Sequence, residues 1–190
     1  QSIDRIVSDS KRATAIVGRT RDFFKKAPAR KESVEINVTI LEVVGLTRVP
    51  MSDNGVVAKM QLANGLPTIW GDRVQLQQVI LNLIMNAIEA LRDVDEGSRE
   101  LVISTSRTET DSVIVTISDS GPGLSQTNPE RIFDAFYTTK TTGLGMGLSI
   151  CRSIVEAHHG RLWVRPNEPR GAVFCMTLPI EGSVSEYQQA

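Results

Sequence analysis

Apolar and small side chains fall on one line along the first two dozen residues. Ile3, Ile6, Ser10, Ala13, Val17, Thr20 and Phe24 recur at alternating three- and four-residue steps, with Arg5, Asp9, Lys11, Arg12, Arg19 and Arg21 elsewhere. This spacing predicts an amphipathic helix with a coiled-coil-like seam. Lys25-Lys26, favourable at a helix C-terminus, and then Ala27-Pro28 predict its end, with a linker over residues 27–32. A lone helix cannot bury such a stripe, so this one is expected to pair with another, from a longer chain or a second copy.

Beyond the linker the pattern changes period repeatedly. Val34-Glu35-Ile36 reads as a short strand, and Asn37 as the cap of a helix running through Val43 and Val44 towards Thr47, which Pro50 ends or kinks. Val56–Leu62 alternates weakly into the turn signal Asn64-Gly65, and Thr68-Ile69-Trp70 is a further short strand. The strongest helix opens at Asp72, its expected N-cap, and runs to the region of Arg92. Its apolar face is Leu76, Val79, Ile80, Leu83, Ala87 and Leu91; beside it runs a polar stripe of Gln75, Gln78, Asn82, Asn86, Glu89 and Asp93. Strands Leu101–Arg107 and Ser112–Asp119 follow across the turn Glu109-Thr110-Asp111. A short helix over Asn128–Phe133, a helix over Met146–His158, and strands Arg161–Val164 and Ala172–Leu178 complete the pattern, before a polar tail. Three long helices beside largely antiparallel strands predict a two-layer α/β sandwich: a mixed sheet covered on one face by the helices.

Composition narrows the function classes. A chain of 190 residues holds one ordinary domain and an appendage, and a net charge of -1 argues against a nucleic-acid partner. Apolar runs are broken well short of the roughly 20 residues that span a bilayer, and no signal peptide is visible, so a soluble, cytoplasmic piece without membrane contact is expected. Cys151 and Cys175 lack metal-ligand spacing and lie in apolar surroundings, which predicts buried free thiols.

The polar stripe is unusual in kind. Asn and Gln favour helices less than Lys, Glu or Arg, so a merely solvated face would not choose them, and Asn82 and Asn86, one turn apart, point the same way. Gly143, Gly145 and Gly147 lead directly into the 146–158 helix, whose N-terminal amides form a natural anion site. The motif is G-x-G-x-G after a loop, not the strand-borne G-x-G-x-x-G of dinucleotide folds. Asp119 closes an alternating strand and is followed by Gly121-Pro122-Gly123, where glycines admit a flat ring close to the backbone.

Four segments in fixed order carry a family resemblance: Asn82-Leu83-Ile84-Met85-Asn86-Ala87-Ile88-Glu89-Ala90, Asp119-Ser120-Gly121-Pro122-Gly123, Phe133-Asp134-Ala135-Phe136 and Gly143-Leu144-Gly145-Met146-Gly147. Together they resemble the N, G1, F and G2 boxes of the ATP-binding domain of sensor histidine kinases, over roughly residues 30 to 182. The run Trp70–Gln78 and the short threonine-rich Thr138–Thr142 segment look most like kinases of the nitrogen-fixation and dicarboxylate-sensing kind. The resemblance implies that Asn86, with a hard carboxamide oxygen, holds Mg²⁺, that Asn82 lines the phosphates, and that Glu89 belongs to the same wall. It implies that Asp119, with Gly121 and Gly123, receives adenine, supported by Thr177. Gly143, Leu144, Gly145, Met146, Gly147 and Leu148 would hold the phosphates of ATP, and Lys140 would reach the terminal ones from a lid whose base Phe133 and Phe136 pack.

In the wider superfamily, gyrase-type and chaperone ATPases activate water with a glutamate where Asn82 stands, and a carboxamide cannot take up a proton as a carboxylate does. The resemblance therefore implies phosphoryl transfer to a histidine rather than hydrolysis, with Asn82, Asn86 and Lys140 as the catalytic set and onward transfer to a response-regulator receiver domain. A slow ATPase or a degenerate nucleotide-binding module are the alternatives. Residues 1–26 would be the second helix of a homodimerising hairpin, 33–182 the catalytic domain and 183–190 a tail. His158 and His159 match a helix-to-strand turn of the family, so the acceptor histidine is expected on a helix preceding Gln1.

Overall fold

The computed structural model describes residues 30–92, 94, 97–124, 129–138 and 145–182. The expected N-terminal helix, the first half of the linker, the lid with Lys140, Gly143 and Leu144, and the tail lie outside them. The chain divides into two compact units, Gln1–Arg30 and Lys31–Ala190.

In the second unit the elements run β1 (Glu32–Val34), α1 (Ile36–Leu46), α2 (Arg48–Asp53), β2 (Val57–Leu62), β3 (Ile69–Gly71), α3 (Arg73–Arg92), β4 (Glu100–Arg107), β5 (Ser112–Asp119), a 3-10 turn (Pro129–Phe133), α4 (Gly147–Ala157), β6 (Arg161–Pro166) and β7 (Ala172–Pro179). Five strands form one sheet in the order β2-β4-β5-β7-β6; only the β2–β4 pair is parallel. β1 and β3 make a separate antiparallel pair. The predicted two-layer sandwich is therefore the observed architecture.

Alternation decides which face is covered. Leu101 and Ile103 of β4, Val113, Val115 and Ile117 of β5, and Phe174, Met176 and Leu178 of β7 all join the core beneath the helices. The seam is α3, which buries Leu76, Val79, Ile80, Leu83, Ile84, Ala87, Ile88 and Leu91. Each such side chain contributes roughly 1.5–3 kcal/mol on leaving water. By length and composition alone α3 would pass for a membrane span, but it is the central helix of this core.

Three local expectations differ. Ile36 opens α1 rather than ending a strand, and Asn37 does not cap it; the N-cap is Glu35, without a side-chain bond. Asn37 instead donates to the Ala63 carbonyl at 2.8 Å and accepts from the Thr105 hydroxyl at 2.9 Å, tying α1 to the end of β2. Pro50 breaks nothing further: the chain turns at Thr47, and Pro50 is the third residue of α2, where a helix has no partner for its N–H anyway. Cys151 and Cys175 are free and buried, as expected.

Candidate nucleotide site

Asp119 is the last member of the core-facing row Val113, Val115, Ile117, so strand alternation alone turns its carboxylate inwards. It is 3% exposed. Its Oδ1 accepts the Gly121 amide at 2.9 Å and the Ala172 amide at 3.3 Å. Burial pushes the carboxyl above the ordinary aspartate range, and the two amides pull the other way. Among the described residues no cation pairs with this buried carboxylate, which makes it a candidate ligand contact. Asn167 Nδ2 holds the same rung from outside, donating to the Asp119 carbonyl at 2.8 Å.

Gly121 brings this acid against α3. A Cβ at Gly121 would lie 2.8 Å from Asp119 Oδ1 and 3.3 Å from the Ala90 Cβ. A larger residue would therefore fill the space beside the carboxylate. At Gly123, an added Cβ would stand 3.1 Å from the Gly171 carbonyl oxygen, so the G1 turn lies under the loop between β6 and β7.

Further back along α3, Asn82 meets the head of α4. A Cβ on Gly147 would stand 2.9 Å from Asn82 Nδ2. Asn82 Nδ2 also donates to Cys151 Sγ at 3.1 Å, one turn into α4. Burial pushes the Cys151 thiol up to about 11, so it stays protonated at neutral pH. From Asn82 to Ala90 is eight residues, about 12 Å of helix. Asn86, half-buried, lies midway between them, and exposed Glu89 is three residues further on. One side of α3 is thus bracketed by a helix N-terminus at residue 82 and a buried carboxylate at residue 90.

Among the described residues, no side chain caps the head of α4. Its N-cap, Met146, makes no side-chain capping bond, and the first turn holds no acidic residue. First-turn amides of this kind, without a side-chain cap, suit an anion. Leu148 packs against the core from the same turn. Gly145 reaches this position at φ 66°, with a would-be Cβ 2.5 Å from the Phe136 carbonyl carbon, so no other residue fits there.

Two expected residues are placed differently. Thr177 pairs with Ile114 on β5, on the sheet face opposite Asp119 and five rungs from Ala172, about 16 Å along the strand. It does not support the carboxylate; the Ala172 and Gly121 amides do. Phe136 is 74% exposed with φ 67°, not buried as an anchor would be, and the lid it was expected to support lies outside the described residues. Phe133 is buried in the core, where it meets the Phe174 ring edge-on at 6.4 Å between centroids, with the Arg152 guanidinium 3.8 Å above it. Cys151, Asn167 and the Ala172 amide were not foreseen. Cys151 alone left a trace in the sequence, four residues after Gly147 and so on the same helix face.

The residues present fit an adenine nucleotide with its divalent ion. A carboxylate acceptor stands at one end, uncapped amides at the other, and a carboxamide oxygen of the type Mg²⁺ accepts stands between them. The fold and the site together define a nucleotide-binding α/β sandwich. Residues 71–182 match the family of histidine kinase-, DNA gyrase B- and HSP90-like ATPases, and the chain belongs to it. The chain is 36% identical over 95% of its length to the sensor histidine kinase TmoS of Ectopseudomonas mendocina, and 38% identical over 94% to the sensor protein FixL of Bradyrhizobium diazoefficiens. It spans only 19% and 35% of those two proteins. Among solved structures, the catalytic domain of the histidine kinase ThkA matches at 33% identity and a TM-score of 0.70, over 80% of this chain and 96% of that one. ThkA in complex with the response regulator TrrA matches at 28% identity and a TM-score of 0.74, over 94% and 50%.

Proposed function

We propose that the chain is the catalytic part of a sensor histidine kinase, which binds Mg²⁺·ATP and passes its terminal phosphate to a histidine on an upstream helix, for relay to an aspartate of a response-regulator receiver domain. The observation that carries this is the meeting of Asn82 with the head of α4. The place nearest the expected terminal phosphates holds a carboxamide, which cannot draw a proton from water. Transfer then needs a nucleophile brought from elsewhere, which a neutral imidazole supplies.

Asp119 accepts the adenine amino hydrogens, with Gly121 and Gly123 admitting the ring. Asn82 and the amides of Gly145, Met146 and Gly147 orient the phosphates, joined by Gly143, Leu144 and Lys140. Asn86, with Glu89 beside it, holds Mg²⁺, which when bound neutralises phosphate charge. Residues 1–26 form the second helix of a dimerisation hairpin, on the cytoplasmic side of a parent that responds to a signal. The likeness to FixL and TmoS and the ThkA–TrrA complex support this assignment.

The test incubates γ-labelled ATP and Mg²⁺ with this chain and with a version extended through the preceding helix. Acid-labile label on the extended protein alone is expected. Steady phosphate release without labelled protein would overturn the kinase in favour of an ATPase.

A further inference from the structure

His158 is 3% exposed and has no part in the site described above. Its Nδ1 lies 2.7 Å from the Ile154 carbonyl of its own helix, and its Nε2 lies 2.9 Å from the Asp72 amide. A carbonyl only accepts and a backbone amide only donates, so Nδ1 carries the hydrogen and Nε2 receives one. Asp72 is the residue that opens α3, and His158 closes α4. The neighbouring chain makes room for the ring: a Cβ on Gly71 would lie 2.7 Å from His158 Cδ2.

The two helices therefore run antiparallel and meet through polar groups at two points. One is Asp72 with His158; the other is Asn82 with Gly147 and Cys151. The spacings match: ten residues of α3 and eleven of α4, about 15 and 16 Å of helix. Between these points the contact is apolar and non-directional, and such packing resists sliding less than a directed bond does.

We propose that His158 is a positioning residue for the nucleotide site: by holding the Asp72 amide it sets the axial register of α4 on α3, and so the placement of the α4 first-turn amides against Asn82. This rests on the nucleotide reading of that site. A side chain that donates on one side and accepts on the other is what the position demands, since one side is steered by its own helix while the other accepts from α3. Phosphate groups held by amides and by Asn82 at once would feel a slide of α4 directly.

The experiment compares His158→Leu, His158→Gln and Gly71→Ala in a Cys175→Ala background, with Ile40→Val or Ile40→Ala as a control of matched melting temperature. Two quantities are read: Mg²⁺·ATP affinity by calorimetry, and the rate at which a maleimide alkylates Cys151 at the far end of α4. His158→Leu is expected to bind Mg²⁺·ATP about tenfold more weakly, as for one well-made hydrogen bond to the phosphates lost, and to expose Cys151 faster than the control. His158→Gln, whose amide oxygen can still accept from Asp72, is expected to retain most of the affinity. Gly71→Ala, which leaves every polar group in place but crowds the ring, should fall between them and carries the test if His158→Leu does not fold. Variants that lose no more affinity and protect Cys151 no less than the control would overturn the proposal. If the parent chain itself binds no Mg²⁺·ATP, the nucleotide reading fails, and the alkylation rates still decide whether His158 sets the register.

Discussion

Two helix N-termini in this domain are built in opposite ways. At α3, Asp72 Oδ1 accepts the Gln75 amide at 3.0 Å, and the Asp72 amide is itself held by His158. At α4, Met146 offers no cap and no acidic side chain stands in the first turn. Both helices pack on the same core, so burial does not explain the difference. A capping residue is worth about 1 kcal/mol, and a chain that supplies one to α3 and withholds it from α4 suits the second end to an anion. Asp119 is a comparable case at the other end of this face: burial of a carboxylate on a core-facing row weakens the empty fold, and the Gly121 and Ala172 amides offset only part of that.

The largest effect is expected at the acid. Asp119→Asn keeps an oxygen for the Gly121 and Ala172 amides but turns an N–H towards the ring's amino group, so calorimetry should detect no adenine nucleotide binding. The same variant should melt higher than the parent when empty, near neutral pH. Undiminished ADP affinity would remove Asp119 from the adenine. Making α4 resemble α3 comes next. Met146→Asp should stabilise the empty protein by about 1 kcal/mol through capping and the helix dipole, while its carboxylate competes with phosphates and weakens ATP several-fold more than adenosine. Equal effects on both ligands would show that the α4 amides do not face phosphate.

A smaller effect follows from proton linkage. Because burial raises the Asp119 pKa in the folded chain above its ordinary 3.8, the folded state holds that proton more tightly than the unfolded one. Its contribution therefore destabilises the empty fold at pH above the raised value, and this loss disappears as pH falls below the ordinary one. Nucleotide affinity should move the other way, falling as acid protonates the carboxylate, and melting of Asp119→Asn should lose the first trend. Least of all, Asp72→Ala should cost about 1 kcal/mol of stability in denaturant melts and leave ATP affinity nearly unchanged, since the His158 contact uses the backbone amide.

Most elements could be read from the chain because their periods are strong. The 3.6-residue pattern of α3 named six of its eight buried residues, and the alternation of Ser112–Asp119 marked both its bounds and the inward acid. The errors share one cause. Asn37 has the chemistry of a cap, but its side chain is claimed by Ala63 and Thr105 from far along the chain. Thr177 lies in a strand that was recognised, yet which rung and face it occupies depends on pairing with β5. The role of His158 depends on Asp72, 86 residues earlier.

Taken alone, the sequence determined the kinds of element, the identity of the polar stripe on α3, and the candidate site residues Asn82, Asn86, Asp119 and Gly147. Local period and residue type suffice for these. Only the tertiary structure decided which of them meet: that Gly147 touches Asn82, that Gly121 sets Asp119 against Ala90, and that Thr177 is turned away. Strand register and helix packing are settled by contacts between residues far apart in the chain, and no local pattern records them.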